Sequence, residues 1–381
     1  MIYFDNHATT PCDPEVIKTI ADELTTHVGN PSSSHILGDL ASTRLTRALD
    51  KVVEIIGGRG DEIIITSGAT ESNNLAILGL LYKDLHYFGS RKKIFTTKIE
   101  HKSVLAPIGH LEQLGWEIGY LPLKQDGTVI IEEAIKLIDS NTALVSVQLA
   151  NSEIGTIQPV EALAKITNAT GTIFHCDAVQ AVGKIPVNVD ALGIDLLSFC
   201  GHKLYGPQGV GALWVRPGIE KMLSPLFFGG GNIKSRPGTL PISLVIGFAR
   251  ACELAVEHFE RDFNHVLHLR NQFENHLSQL LPEIIINASK NRLPTNSNIT
   301  FPNVEAEALL AHVPEIIAST GAACESGSIE PSRVLTAIGV DTDTAFSTIR
   351  FGFGRFNTDV EIKIAVDCIA TAYRNVLALL D

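Results

Sequence analysis

Lys203 stands in Phe199-Cys200-Gly201-His202-Lys203-Leu204-Tyr205-Gly206-Pro207, directly after an apolar run of strand length. A lysine at a strand end in an α/β sheet sits where such sheets bind ligands. Burial or positive neighbours would lower its pKa and let the amine form a Schiff base. Most lysines are solvated surface charges, but Gly, His, Tyr and Pro are unusual company for one. Asp177 ends a second run, His175-Cys176-Asp177-Ala178-Val179-Gln180. Its carboxylate suits either a helix cap or the pyridinium nitrogen of pyridoxal phosphate (PLP), which it would keep an electron sink. A third segment, Ile63-Ile64-Ile65-Thr66-Ser67-Gly68-Ala69-Thr70-Glu71-Ser72-Asn73, reads as strand, small-residue turn and helix start. Alone it is an N-capped turn or a phosphate cradle. Cradle, carboxylate and amine together compose one PLP site.

A fourth segment supplies a thiol. Cys324 lies in Ser319-Thr320-Gly321-Ala322-Ala323-Cys324-Glu325-Ser326-Gly327-Ser328, a small and polar run of the kind that forms exposed loops. Cys252 and Cys368 lie in apolar helical patterns, as structural cysteines do. Cys324 is therefore the candidate reactive thiol, ahead of Cys12 and Cys176. The six cysteines are scattered with no CxxC pair, which argues for reduced thiols and against structural zinc.

The elements that must position these groups follow from patterning. Apolar runs of strand length occur at Glu62–Thr66, Lys93–Thr97, Ala143–Val147, Thr172–His175, Leu196–Phe199 and Ala212–Val215, with helical stretches between most of them. Strands apolar on both faces, alternating with helices, predict an α/β protein with a mostly parallel sheet. Asp13-Pro14-Glu15 predicts a capped helix toward Thr26, and a long helical pattern runs from Pro241 to about Leu280. The remainder mixes short strands and helices.

At 381 residues the chain is too long for one ordinary core, so two domains are expected. Thirty basic against 42 acidic residues give a net charge of −12, which argues against a protein built to grip nucleic acid. No signal peptide, membrane span or metal site is expected, and the predicted location is cytoplasmic.

The ordered motifs Tyr3-Phe4-Asp5-Asn6-His7-Ala8-Thr9-Thr10-Pro11, Gly29-Asn30-Pro31-Ser32-Ser33-Ser34-His35, Thr66–Ser72, Glu100-His101-Lys102, Gly201-His202-Lys203, Arg236-Pro237-Gly238-Thr239, Ser332-Arg333-Val334-Leu335 and Ile349-Arg350-Phe351 resemble the cysteine desulfurases. These are PLP enzymes of fold type I in the class V aminotransferase group, here of the long-catalytic-loop type. The resemblance implies a large domain with a mainly parallel seven-stranded sheet, residues 14–258. It implies a smaller α+β domain, residues 1–13 and 259–381, carrying the cysteine loop.

It also implies roles. Lys203 would carry PLP, with His101 stacked on the ring, Asp177 at its nitrogen and Gln180 at its phenolic oxygen. Ala69, Thr70 and His202 would bind the phosphate, joined by Thr239 from a neighbouring subunit of a homodimer. Arg350 and Asn151 would bind the substrate, L-cysteine. Arginine suits a carboxylate as a planar bidentate donor, although an ordinary ion-paired arginine is the other reading. Cys324 would take the sulfur as a persulfide and pass it to an acceptor protein, leaving alanine.

The chain departs from the family at three places. Ser152 replaces the second of two asparagines that touches the phenolic oxygen, Cys200 replaces a phosphate-binding Ser or Thr, and Gly229–Ser235 lacks a Gln/His-Glu-Arg-Gly run. The C-terminal tail that docks an iron–sulfur scaffold is expected to be absent. These departures point to a specialised pathway, with iron–sulfur assembly, tRNA thiolation and DNA phosphorothioation all open. A different PLP lyase, such as a selenocysteine lyase, and a non-catalytic scaffold are the competing readings.

Overall fold

The structure is a computed structural model and describes residues 1–83, 88–89, 91–230, 235–287, 289–321 and 330–380. The chain opens with a short strand, β1 (Ile2–Tyr3), and a helix, Pro14–Thr26. Asp13 caps that helix by accepting the Glu15 N–H at 3.0 Å, with Pro14 in its first turn as predicted. Strands β2 (Ile63–Thr66), β3 (Lys93–Thr96), β4 (Glu117–Tyr120), β5 (Thr142–Ser146), β6 (Ile173–Asp177), β7 (Leu196–Cys200) and β8 (Gly211–Val215) form one sheet.

The sheet runs in the order β2-β8-β7-β6-β5-β3-β4 and is parallel from β7 to β4. β8 is antiparallel to both β7 and β2, so β2 points the same way as β7. The seven-stranded, mainly parallel sheet thus stands as expected. Side chains alternate between two cores: Ile63 and Ile65 join Val52, Val145 and Phe174 on one face, and Ile64 joins Leu75, Leu144 and Leu213 on the other. Helices cover both faces, and the helix Ile242–Glu257 packs against Pro14–Thr26 and Ile36–Glu54.

The long helical pattern after Pro241 is two helices, Ile242–Glu257 and Phe259–Leu280. The break falls at His258, whose φ and ψ of −105° and 7° leave the helical region. Beyond it, β9 (Ile285–Ile286), β10 (Asn296–Thr300), β12 (Ser319–Thr320) and β13 (Thr348–Gly352) form a four-stranded antiparallel sheet, while β11 (Ile316–Ile317) pairs with β1.

A separate core underlies this sheet. Phe4 lies 5.8 Å from Phe273 and 5.1 Å from Phe353, and Phe273 lies 4.9 Å from Phe351. These aromatic contacts fasten the N-terminal segment to the C-terminal third. They leave residues 5–8 running toward the ends of β5, β6 and β7. Among the described residues no helix is long and apolar enough to cross a membrane.

Candidate functional site

Because β2, β5, β6 and β7 point the same way, the residues that follow them meet at one edge of the sheet. A cavity of about 630 Å³ opens there. Lys203, Asp177, Gln180, His101, Ala69, Thr70, His202, Ser152 and Arg350 all line it. These residues come from segments up to 281 positions apart, and the fold brings them together.

Lys203 sits in a short turn after β7, and its Nζ donates to the carbonyls of His7 at 2.5 Å and Ala8 at 2.6 Å. Asp177 closes β6 and is buried. Its Oδ1 accepts the Val179 N–H at 3.0 Å and its Oδ2 accepts Asn73 Nδ2 at 2.8 Å. The carboxylate therefore caps its own turn and also faces the cavity. Gln180 donates through Nε2 to the His7 carbonyl at 3.0 Å, and its Oε1 accepts from Lys184 Nζ at 2.8 Å. Burial, then the charge of Lys203, brings Lys184 down to about 7.

Gly68 makes the cradle. Its φ of +153° is a backbone that side chains rarely adopt, and a Cβ there would meet only open space. Gly211 lies beneath it, where a Cβ would come within 2.7 Å of the Gly68 backbone. The Ser67 N–H is taken by Glu71 at 2.7 Å and that of Ala69 by the Cys200 thiol, whereas the Thr70 hydroxyl has no partner among the described residues. A small-residue turn, an amine, a neutral imidazole and a buried carboxylate are a donor set that fits PLP. His202 supplies one imidazole, brought down to about 4 by burial and then by Lys203.

His101 caps the helix Lys102–Gln113, its Nδ1 accepting the Ser103 N–H at 3.1 Å. His101 is exposed overall and its ring lines the cavity, and desolvation lowers its pKa. Beneath it, Glu100 is buried between Thr97 Oγ1 at 2.7 Å and the Gln148 N–H at 2.9 Å, and burial raises its carboxyl to about 8.

Arg350 comes from β13. Its Nη2 donates to Asp5 Oδ1 at 2.7 Å and its Nη1 to the Ser152 carbonyl at 3.4 Å. A second cavity of about 200 Å³ shares His101, Ser152 and Arg350 with the first. Gly321 and Glu330, the described residues nearest Cys324 on either side, line it too, and Cys324 itself lies outside the described residues.

Three expected site residues stand apart from the cavity. Asn151 spends its side chain on backbone, donating to the Ile99 carbonyl and accepting from the N–H groups of Glu153 and Ile154. Cys200 is buried under the cradle, which pushes its thiol up to about 11. Thr239 is exposed and away from the chain's own cavity. The structure also adds residues that carried no predicted role. His7 and Gln148 line the cavity, Asn73 holds Asp177, and Asp5 holds Arg350. His7 and Asp5 fall within the N-terminal motif, which was a recognisable signal without an assigned task.

Residues 2–364 match the family model described as Aminotransferase class-V. The chain is 42% identical over 381 residues to "Cysteine desulfurase IscS" of Rickettsia rickettsii (strain Iowa), covering 99% of this chain and 92% of that one. Among solved structures it resembles a "NIFS-LIKE PROTEIN" with a TM-score of 0.89 and 36% identity, over 97% of this chain and 98% of the other. It also resembles "SspA in complex with cysteine", with a TM-score of 0.81 and 33% identity over 94% and 100% of the two chains. Fold, site and these likenesses agree: the chain belongs to the class-V aminotransferase family.

Proposed function

We propose that the chain is a PLP-dependent cysteine desulfurase, taking L-cysteine to L-alanine and passing the sulfur to an acceptor protein. The observation that carries this reading is the meeting of Lys203, Asp177, Gln180, His101 and Arg350 on one cavity, in a family member whose relatives include named cysteine desulfurases. Lys203 would hold the cofactor covalently, Asp177 its ring nitrogen and Gln180 its phenolic oxygen. Ala69, Thr70 and His202 would hold its phosphate, with Thr239 reaching in from a second subunit. Bound there, PLP supplies an electron sink for bonds at the substrate's α-carbon.

Arg350 grips the substrate carboxylate from a position fixed by Asp5. The Lys203 amine moves the substrate's α-proton. The Cys324 thiolate attacks the substrate sulfur, so that an S–S bond forms as the substrate's Cβ–S bond breaks. The electron pair of that bond stays with the substrate carbon skeleton, which is protonated to alanine, and Cys324 is left as a persulfide. The positions of Gly321 and Glu330 beside the shared cavity favour this role for Cys324.

Exposed apolar side chains at Ile36, Leu37, Phe227 and Phe228, together with the outward Thr239, support a homodimer. The separate cores support a division into residues 14–258 and residues 1–13 with 259–381. The net charge of −12 and scattered cysteines favour a cytoplasmic protein that does not itself bind nucleic acid. The test is alanine production from L-cysteine by purified, PLP-supplemented protein. Wild type should produce alanine and Cys324→Ala none; equal production by both would instead mean a direct lyase.

A further inference from the structure

An unbroken hydrogen-bonded chain joins the ring of His101 to the carboxylate of Asp177. Nδ1 of His101 is 2.8 Å from Ser103 Oγ, which is 2.8 Å from Asn73 Nδ2, which is 2.8 Å from Asp177 Oδ2. Asn73 and Ser103 are both buried, and the chain crosses from the helix Lys102–Gln113 to the helix Ala69–Asn74 and then to the end of β6.

The direction of each bond is fixed by elementary bookkeeping. An ionised carboxylate only accepts, so Asn73 must turn its NH₂ toward Asp177. The second hydrogen of that NH₂ goes to Ser103 Oγ. The cost is visible: Asn73 Oδ1 is buried with no partner among the described residues. Ser103 Oγ accepts from Asn73 through one of its two lone pairs, and because Nδ1 of His101 is already an acceptor for the Ser103 N–H, the Oγ–Nδ1 contact is closed by the hydroxyl hydrogen. Nδ1 already accepts the Ser103 N–H, so it receives two donors and has no room for a proton of its own.

We propose that Asn73 is a positioning residue that sets the protonation of His101: acting through Ser103, it keeps the imidazole neutral with its proton on Nε2. That nitrogen has no partner among the described residues, and the ring lines the cavity, so Nε2–H is what the site meets. A neutral ring also adds no second positive charge beside Lys203. The proposal deepens the cofactor reading given above, since it says why the residue against the ring face stays uncharged.

The charged groups that act on His101 are Asp177 from β6, Lys203 after β7, Arg333 from the helix Arg333–Ala337 and Lys102 from its own helix. Glu100 precedes it in the chain, and Glu71 lines the same cavity. Asp177 favours the imidazolium and the three cations oppose it, so the hydrogen-bond chain acts on a ring whose surroundings are otherwise mixed in sign.

The test is the titration of His101 in PLP-loaded, ¹⁵N-histidine-labelled protein, with its signal assigned by loss in His101→Gln. Wild type should show Nδ1 as the unprotonated nitrogen and a midpoint below the ordinary histidine value. Asn73→Asp reverses the polarity, because a carboxylate accepts the Ser103 hydroxyl hydrogen and leaves Nδ1 with the Ser103 N–H as its one donor. Its midpoint should rise by about one pH unit or more. Asn73→Ala should give a smaller rise in the same direction.

Asn73→Asp combined with Ser103→Ala should lose most of the rise. Retention of the whole rise in that double variant would mean a through-space charge effect and overturn the proposal. So would an unmoved midpoint in Asn73→Asp, or a wild-type proton on Nδ1. The same titration in protein stripped of PLP reads the chain directly, so a failed cofactor reading and a failed proton assignment are separate outcomes.

Discussion

Asp5 holds Arg350: Oδ1 of the carboxylate lies 2.7 Å from Nη2 of the guanidinium, and both side chains are largely buried. Such a pair fixes one edge of the fork while Nε stays without a partner among the described residues. Arg350→Ala is expected to raise the KM for L-cysteine about 10- to 100-fold, the worth of a charge-assisted hydrogen bond, while PLP binding changes little. Asp5→Ala leaves the arginine buried and unpaired and should cost about 3 kcal/mol of stability in urea unfolding. A KM unmoved in Arg350→Ala would place the substrate carboxylate elsewhere.

Lys203 and Cys324 should separate cofactor attachment from sulfur chemistry. Lys203→Ala is expected to lose the visible absorption band of covalently held PLP after gel filtration, and all alanine production with it. Cys324→Ala should keep the band at wild-type strength and make no alanine. Loss of the band in Cys324→Ala would tie that cysteine to the cofactor site itself.

Glu100 makes stability fall as pH rises. Its folded pKa of about 8 lies above the ordinary carboxylate value, so its contribution is complete below about 4.5 and is lost as pH climbs to 8. One proton contributes at most about 1.4 kcal/mol per pH unit across that window. Glu100→Gln cannot titrate, so the stability difference between it and wild type should change across pH 5–8 and level off above. A difference that is flat across that range would mean the carboxyl is already ionised in the fold.

His175 works in the opposite direction. It lies between Ser146 Oγ at 2.8 Å and Ser198 Oγ at 3.0 Å, and burial lowers it to about 3. The stability of the neutral ring is present above about 6.5 and is lost as pH falls toward 3. In chemical denaturation, the gap between wild type and His175→Gln should narrow as the pH is lowered through that range.

Much of this was legible in the chain because it was repetitive or chemically constrained. The central strands announced themselves as apolar runs, since both of their faces are buried. β4 did not, because Glu117–Tyr120 is an edge strand with half its surface in water and no apolar run to display. Lys203 and Asp177 were readable as strand-end residues with scarce chemistry, and His101 only through the resemblance carried by Glu100-His101-Lys102. Asn151 was not readable in the same way, because the backbone alternates there: Gln148, Ala150 and Ser152 line the cavity while the residue between the last two turns inward. Asn73 looked like any polar helix residue, and only the packing of its helix against the helix Lys102–Gln113 and beside the end of β6 gave it two acceptors.

The phenylalanine contacts that fasten Phe4 have a consequence for calibration of the whole site. Within four consecutive residues beyond that anchor, one carboxylate sets the reach of Arg350 and two carbonyls set the resting point of the Lys203 amine. The carboxylate handle and the proton carrier are therefore referenced to a single peptide gauge rather than to separate walls. A slip of this segment would displace both by the same amount and in the same direction, preserving their spacing while shifting them together against Asp177.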